Sequence, residues 1–347
     1  MNSAAGPVLV TGGSGYFGSL LIKELVARGV SCRNFDLVAA DDLPVEVEFQ
    51  QGDIRDLEAV IRACRGVGVV HHNVAEVPLA KDRALFKSVN IEGTRNLLEG
   101  ALRAGVPKVV YTSSSAVYGI PRSNPVNEDT PPRPGEPYGR AKREGELLCD
   151  RYRDKGLDIT IIRPRTIMGH GRLGIFQILF EWIYQGSNVP VLGGGDNRYQ
   201  FVHADDLAEA CILAAERSGG TAYNCGTDRF GSMRTVLEDL CARAGTGSRV
   251  RSVPMWPAIA GMRITNALRL SPLTTYHSLM YGRSMYFDIS KARDELGWQP
   301  RYSNDEMFWE SYQWYLRRRE TILQSTGASQ HRSAVKQGIL GLVRKVL

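Results

Sequence analysis

Hydrophobic and polar positions follow two rhythms along the first half of the chain. Val8 to Val10 form a short apolar run that ends in a Gly-rich turn, the pattern of a parallel strand buried on both faces. Leu20, Leu21, Leu25 and Val26 then recur at helical spacing. Val30 to Phe35 predict a second strand closing at Asp36, and a third, short strand precedes Asp53. Gly68 to His72 and Lys108 to Thr112 predict two more, separated by helical periodicity from Phe86 to Leu102. Asp158 to Arg163 ends the series at Pro164. Strands alternating with helices require crossovers, so the pattern predicts an α/β fold with a doubly wound parallel sheet covered on both faces.

Beyond Pro164 the rhythm breaks. Leu173 to Tyr184 is a dense apolar segment with the length of a helix, apolar on nearly all sides. Phe201 to His203 and Ala222 to Cys225 read as short strands returning to the main sheet, and Ser232 to Ala244 as a helix. Residues 250–290 read as irregular, while Ser290 to Leu296 and Asn304 to Arg319 complete the folded part. Residues 319–347 form a polar linker and a basic amphipathic tail, in which Val335, Ile339, Leu342, Val343 and Val346 share a stripe that Lys336, Arg344 and Lys345 avoid. Such a helix either lies in a membrane interface or docks on its own protein.

Composition narrows the class. The 347 residues are 43% hydrophobic, enough for a sizeable core and too many for a disordered chain. A formal charge of +6 and an isoelectric point near 9.0 suit an anionic substrate or surface. No nucleic-acid recognition motif accompanies them, so that partner is set aside. Cys32, Cys64, Cys149, Cys211, Cys225 and Cys241 lie far apart and form neither a CxxC pair nor a zinc cluster with the six histidines. Buried thiols in a reducing cytoplasm and no metal site are expected, His203, Asp205 and Asp206 being read as structural and His71 and His72 as packing or cofactor-side residues. No signal peptide is expected, and no apolar run reaches the ~20 residues needed to span a bilayer.

Candidate chemistry begins at TGGSGYFG, where Gly12, Gly15 and Gly18 follow a strand and open a helix. The first glycine allows a sharp turn, the second a close approach of backbone to pyrophosphate, the third close packing of helix on sheet, and the helix N-terminus offers free N–H groups to phosphates. Asp36, closing the second strand, can accept the ribose hydroxyls of a dinucleotide and repel an extra phosphate, which favours NAD over NADP. Nearby Arg33 reads as a solvated strand residue. Asp53 either reads an adenine amino group or caps a helix.

Tyr138 and Lys142 stand four residues apart in YGRAK, on one face of a helix. An adjacent ammonium stabilises a phenolate, so Lys142 is expected to lower the Tyr138 pKa and let the phenol exchange a proton with a carbonyl or alcohol oxygen. Lys142 can also hold the nicotinamide ribose. Ser114, beyond the strand Lys108 to Thr112, falls at the C-terminal sheet edge, where ligands bind in this architecture.

Together these residues resemble the extended short-chain dehydrogenase/reductase family, of the NAD-dependent epimerase/dehydratase type. The resemblance runs over about residues 6–318, through TGGSGYFG, GDIRD, VNIEGTRNLL, YTSSSAVYG, YGRAK, IIRP, FVHADDLAEA, YNCG and FDISKARDELGWQP. It implies a Rossmann domain over 1–165 and about 200–226, a smaller C-terminal substrate domain over 166–199 and 227–318, and a homodimer. By position it makes Ser114, Tyr138 and Lys142 a catalytic triad. It places Asn90 near the cofactor or central helix, supports Asp53 as an adenine contact, and brings Tyr16, Phe17 and Ile54 into the cofactor site.

Departures from the family's patterns bear on the substrate. Dehydratases resemble TDEVYG where this chain has Ser114, Ser115 and Ala116, so the acid pair for water elimination is absent. Epimerases carry RPxNVYG, and here Thr166 replaces the asparagine that meets the nucleotide diphosphate; Arg165 or Arg198 can compensate. With the apolar helix, the tail and the segment Tyr281 to Asp288, which is similar to the steroid and lipid branch, these features favour hydride transfer at a secondary alcohol or ketone of a lipid-like substrate. A nucleotide-sugar epimerase is the alternative. Ser115, Arg165, Thr166 and Arg198 are the candidate substrate residues. The expected location is cytoplasmic, with the tail able to reach the inner face of a membrane.

Overall fold

The computed structural model describes residues 6–76, 83–172, 175–267, 280 and 282–324. Its centre is a sheet of seven parallel strands: β1 (Val8–Thr11), β2 (Cys32–Asp36), β3 (Glu48–Gln51), β4 (Val69–His72), β5 (Lys108–Thr112), β6 (Asp158–Pro164) and β10 (Ala222–Cys225). The spatial order is β10-β6-β5-β4-β1-β2-β3. The chain winds outward from β1 to β3, then crosses back to β4 on the other side of β1. That reversal opens a crevice beyond the C-terminal ends of β1 and β4, the place where this architecture binds ligands.

Alternation along the strands supplies two cores. Val8 and Val10 face α1 (Tyr16–Ala27), α7 (Ala204–Glu216) and α10 (Ser290–Leu296) through Leu21, Leu25, Leu207 and Ala292. Leu9 faces α2 (Leu57–Cys64), α4 (Thr94–Arg103) and α5 (Pro137–Arg153) through Val60, Leu97 and Leu148. Strands buried on both sides explain the unbroken apolar runs in the sequence. The helical stretch expected from Phe86 to Leu102 is α3 (Arg83–Lys87) running into α4 through a π-helical turn, Ser88–Gly93.

The second half departs from expectation in three places. Phe201–His203 does form a strand, β9, but it pairs with β7 (Thr166–Met168) in a separate two-stranded sheet. The free edge of β6 is already taken by β10, so β9 meets the same chain only after the break at Arg165. Residues 250–290 are not irregular throughout: β11 (Val250–Val253) pairs with β8 (Val189–Leu192), and α9 (Met255–Ala267) follows. Helix α9 escapes a periodicity reading because none of its described side chains is buried, and Trp256 is 79% exposed. Finally, the apolar helix α6 (Ile175–Tyr184) packs its buried side chains into a core of its own. Phe180 and Ile183 pack with Val236 and Leu240 of α8 (Met233–Ala244) and with Tyr312 and Tyr315 of α11 (Asn304–Gln324) in a third core. Among the described residues no helix is long and apolar enough to cross a membrane, and the tail from Ser333 lies outside them. All six cysteines are buried and free.

Candidate active site

The loop from Thr11 to Gly18 is built for close approach. Gly12 has φ +71°, and a Cβ there would stand 2.9 Å from the Val74 amide nitrogen. A Cβ on Gly18 would stand 2.2 Å from the Gly12 carbonyl oxygen, so only glycine lets α1 start against the loop. Helix α1 begins at Gly15 with no side-chain cap, leaving its first N–H groups to a phosphate. Asp36 accepts from the Ser14 amide at 3.0 Å and the Leu37 amide at 2.7 Å, which ties the end of β2 to the loop. Burial pushes its carboxyl up, against those two bonds. Arg33 is not solvated as expected: it pairs with Glu48 at 2.9 Å and donates to the Ala63 carbonyl at 2.7 Å. A Gly-lined cradle, an uncapped helix start and a carboxylate at the neighbouring strand end fit a dinucleotide.

Helix α5 brings the second group together. Glu136 caps it, accepting from the Tyr138 amide at 2.8 Å and the Gly139 amide, with Pro137 in the first turn where no N–H is needed. A Cβ on Gly139 would lie 2.3 Å from the Ala116 carbonyl oxygen, so α5 starts in contact with the 3-10 turn Ser115–Tyr118. That contact sets Tyr138 beside Ser114. Burial pushes the Tyr138 phenol up to about 12, opposed by a hydrogen bond with Ser114 and by the Arg172 guanidinium. Lys142 is buried, donates to the Thr112 carbonyl at 2.8 Å and lies 5.1 Å from the centre of the Tyr111 ring. Burial pulls its ammonium down to about 8. The expectation that Lys142 depresses the Tyr138 pKa is therefore corrected: the ammonium is committed to Thr112, and desolvation dominates at the phenol.

The two groups meet through the segment after β7. Tyr16 donates to the His170 carbonyl at 3.2 Å, and Arg172 lies 5.3 Å from the centre of the Tyr16 ring, so the glycine loop and the Tyr138 side share one wall. On the far side Arg165 donates to the Ser115 hydroxyl at 2.9 Å, and Thr166 shares a hydrogen bond with the Tyr199 hydroxyl at 2.9 Å. Arg198 is exposed, its guanidinium 4.9 and 4.7 Å from the centres of the Phe230 and Tyr286 rings.

A sequence model of the NAD dependent epimerase/dehydratase family matches residues 8–226. The chain belongs to that family. It is an enzyme of the oxidoreductase/epimerase type, and NAD is its cofactor. The chain is 52% identical over 336 residues to an uncharacterized protein, y4nG, of Sinorhizobium fredii, covering 96% of this chain and 85% of that one. It is 31% identical to a UDP-glucose 4-epimerase of Mycolicibacterium smegmatis, over 84% of this chain and 93% of that one. It is 29% identical to the decarboxylating sterol-4-alpha-carboxylate 3-dehydrogenase of Homo sapiens, over 86% of this chain and 85% of that one. Sugar and sterol relatives thus stand side by side.

Within this epimerase/dehydratase, other expected residues sit at one remove. Asn90 is buried and clamps residue 76, accepting from its amide at 2.9 Å and donating to its carbonyl at 3.0 Å; the same loop carries Val74 against Gly12. Asp53 is no helix cap: Asp56 caps α2, and Asp53 instead holds Arg55, whose guanidinium keeps the carboxyl below its usual range. Ile54 is buried against Gly93, and Phe17 in the α1 core. His72 sits between Thr11 at 2.7 Å and Thr94 at 3.2 Å, and burial pulls both His71 and His72 down to about 3, so both are neutral. His170, His203 and Asp205 bring ligand atoms within 4.8 Å of one another, but both His203 nitrogens are engaged: one accepts from the Asp205 amide at 3.2 Å and the other faces Glu310 at 2.6 Å. Sequence reasoning missed Glu136, Thr112, Tyr111 and Arg172. Glu136 before Pro137 carried a readable capping signal; the others act through a carbonyl, a ring and a loop, which leave no motif.

Proposed function

We propose that this enzyme moves a hydride at a secondary alcohol carbon of a nucleotide-activated sugar, in the manner of a nucleotide-sugar epimerase. The observation that carries the reading is the buried Arg165 guanidinium bonded to Ser115, the neighbour of Ser114, with Thr166 next along the chain and a second cation, Arg198, exposed against two aromatic rings. A keto-lipid gains nothing from a buried charge that it cannot pair, and the apolar helix that favoured a lipid is spent on core packing. Likeness to a UDP-glucose 4-epimerase supports the same reading.

NAD, when bound at Gly12 to Gly18, supplies the hydride acceptor. The proton belongs to the protein. Ser114 orients the reacting hydroxyl, and Tyr138, entering the step as its phenolate, takes the proton as the C–H bond gives up its hydride. Lys142, buried and donating to the Thr112 carbonyl, is placed to hold the nicotinamide ribose rather than to set the charge of the phenol. Running the steps backward onto the opposite face of the sugar inverts the carbon with no net redox change. Asp36 receives the adenosine ribose, and Arg198 the diphosphate.

The test is a parallel screen of UDP- and dTDP-sugars, read by NMR for epimer formation, and of hydroxysteroids and keto-lipids, read by NAD(H) absorbance. Epimers are expected without net NADH. Replacing Tyr138 by Phe should slow turnover about 1,000-fold, within the usual range for a proton-transfer residue, while NAD still binds. Net oxidation of a hydroxysteroid, with every nucleotide sugar untouched, would overturn the reading.

A further inference from the structure

Arg165 is 1% exposed. Its Nη1 donates to Ser115 Oγ at 2.9 Å and reaches the Met285 sulfur at 3.5 Å, while Nε and Nη2 have no hydrogen-bond partner. No carboxylate among the described residues pairs with it. The Tyr199 and Phe287 rings, 4.6 and 5.6 Å from the guanidinium carbon, hold its plane by cation–π attraction. A guanidinium stays charged at every working pH, so burial among neutral groups is a standing cost that a bound anion removes. Its planar fork matches a carboxylate in a two-point contact. Ser115 adjoins Ser114, so the Arg165 contact falls one residue from the candidate catalytic serine, whereas the exposed Arg198 is the cation suited to the diphosphate.

Resting on the nucleotide-sugar reading above, we propose that Arg165 and Ser115 form a carboxylate-binding site, so that the sugar presented to Ser114 and Tyr138 is an acidic one. Arg165 then decides specificity, because a neutral hexose leaves the buried charge unpaired.

The experiment compares UDP-glucuronate with UDP-glucose by kcat/KM, in the wild type, Arg165→Met and Ser115→Ala. The wild type should prefer the acid by about 10,000-fold, the discrimination typical of a buried polar group left unpaired by the wrong substrate. Arg165→Met should bring that ratio close to one, and Ser115→Ala should cut it about tenfold. Arg165→Met should also raise Tm, since it removes a buried unpaired charge. A wild-type preference for the neutral sugar, an unchanged ratio in Arg165→Met, or a steep fall in its Tm would assign Arg165 to structure and overturn the site. Calorimetry with UDP alone is the third readout: if UDP binding falls in step with the acidic sugar in Arg165→Met, Arg165 holds the diphosphate and the carboxylate site is wrong. If neither sugar reacts and UDP does not bind, the nucleotide reading fails by itself. Free glucuronate against free glucose then decides the remainder: thermal stabilisation by glucuronate alone, lost in Arg165→Met, sustains the carboxylate site, and its absence overturns it.

Discussion

Arg163 and Arg165 stand two residues apart on one segment of backbone, both buried, in opposite electrostatic surroundings. Arg163 lies on β6 behind the serine turn. It donates to the two oxygens of Glu146 at 2.8 and 3.0 Å and to the Tyr118 hydroxyl at 2.7 Å, while Ser113 donates to the same carboxylate at 2.7 Å. Arg165 has one hydroxyl, one sulfur and two aromatic faces. The paired arginine is a strut that joins α5 to β6 and so fixes the helix that carries Tyr138 and Lys142. The unpaired one is costly to the fold, and such costs persist at sites that meet a ligand. Two further buried cationic residue types sharpen the contrast, because they can escape the cost by losing a proton: His71 and His72 do so fully, and Lys142 partly.

The largest effect expected from this contrast is on acid stability. His71 and His72 have folded pKa values near 3, below the unfolded value near 6.5, so the unfolded chain binds more protons between those limits. Their contribution, on the order of 4 kcal/mol apiece, is complete above pH 6.5 and lost as pH falls toward 3. Urea unfolding from pH 7 to pH 4 should show a steep loss with uptake of close to two protons; a flat profile would mean the histidines are not held neutral. Next comes the strut. Arg163→Met leaves the buried Glu146 carboxylate with only Arg143 at 3.1 Å and the Ser113 hydroxyl, and should cost about 4 kcal/mol of unfolding free energy. An equal loss in Arg165→Met would erase the comparison on which the specificity argument stands.

Lys142 is expected to contribute somewhat less. Its folded pKa near 8 lies below the unfolded value of 10.5, so its contribution is complete above pH 10.5 and lost as pH falls through 8. Wild-type stability should therefore gain about 3 kcal/mol relative to Lys142→Met between pH 7.5 and pH 10.5. Parallel stability curves for the two proteins would contradict a desolvated ammonium. The smallest effect is the gain in Arg165→Met, about 1 kcal/mol, visible as a Tm rise of a few degrees at most.

The contrast also explains how far the sequence could be read. The strands of the main sheet were legible because burial on both faces writes them as apolar runs, as in Val8 to Val10 and Lys108 to Thr112. The glycine loop and the Tyr138–Lys142 spacing were legible because each depends on neighbours in sequence. Beyond Pro164 the local signal fades. Whether Phe201–His203 joins the main sheet depends on β10 occupying the edge of β6, a contact some sixty residues from β6 along the chain. Arg163 and Arg165 look alike as letters, and only the fold tells them apart, since Glu146 comes from α5 and the rings from Tyr199 and Phe287. The Tyr138 phenol went the same way: spacing alone suggested a pKa lowered by Lys142, while burial raises it and Lys142 is committed to Thr112.

A hydride that leaves a sugar carbon and returns to it can be followed with an isotope. A nucleotide sugar deuterated at the carbon whose configuration changes is incubated with the wild-type enzyme, and the product is examined by NMR. The expected product is an epimer that keeps its deuterium, with no accumulation of NADH. Loss of the label to solvent, or stoichiometric NADH with a ketone product, would contradict it.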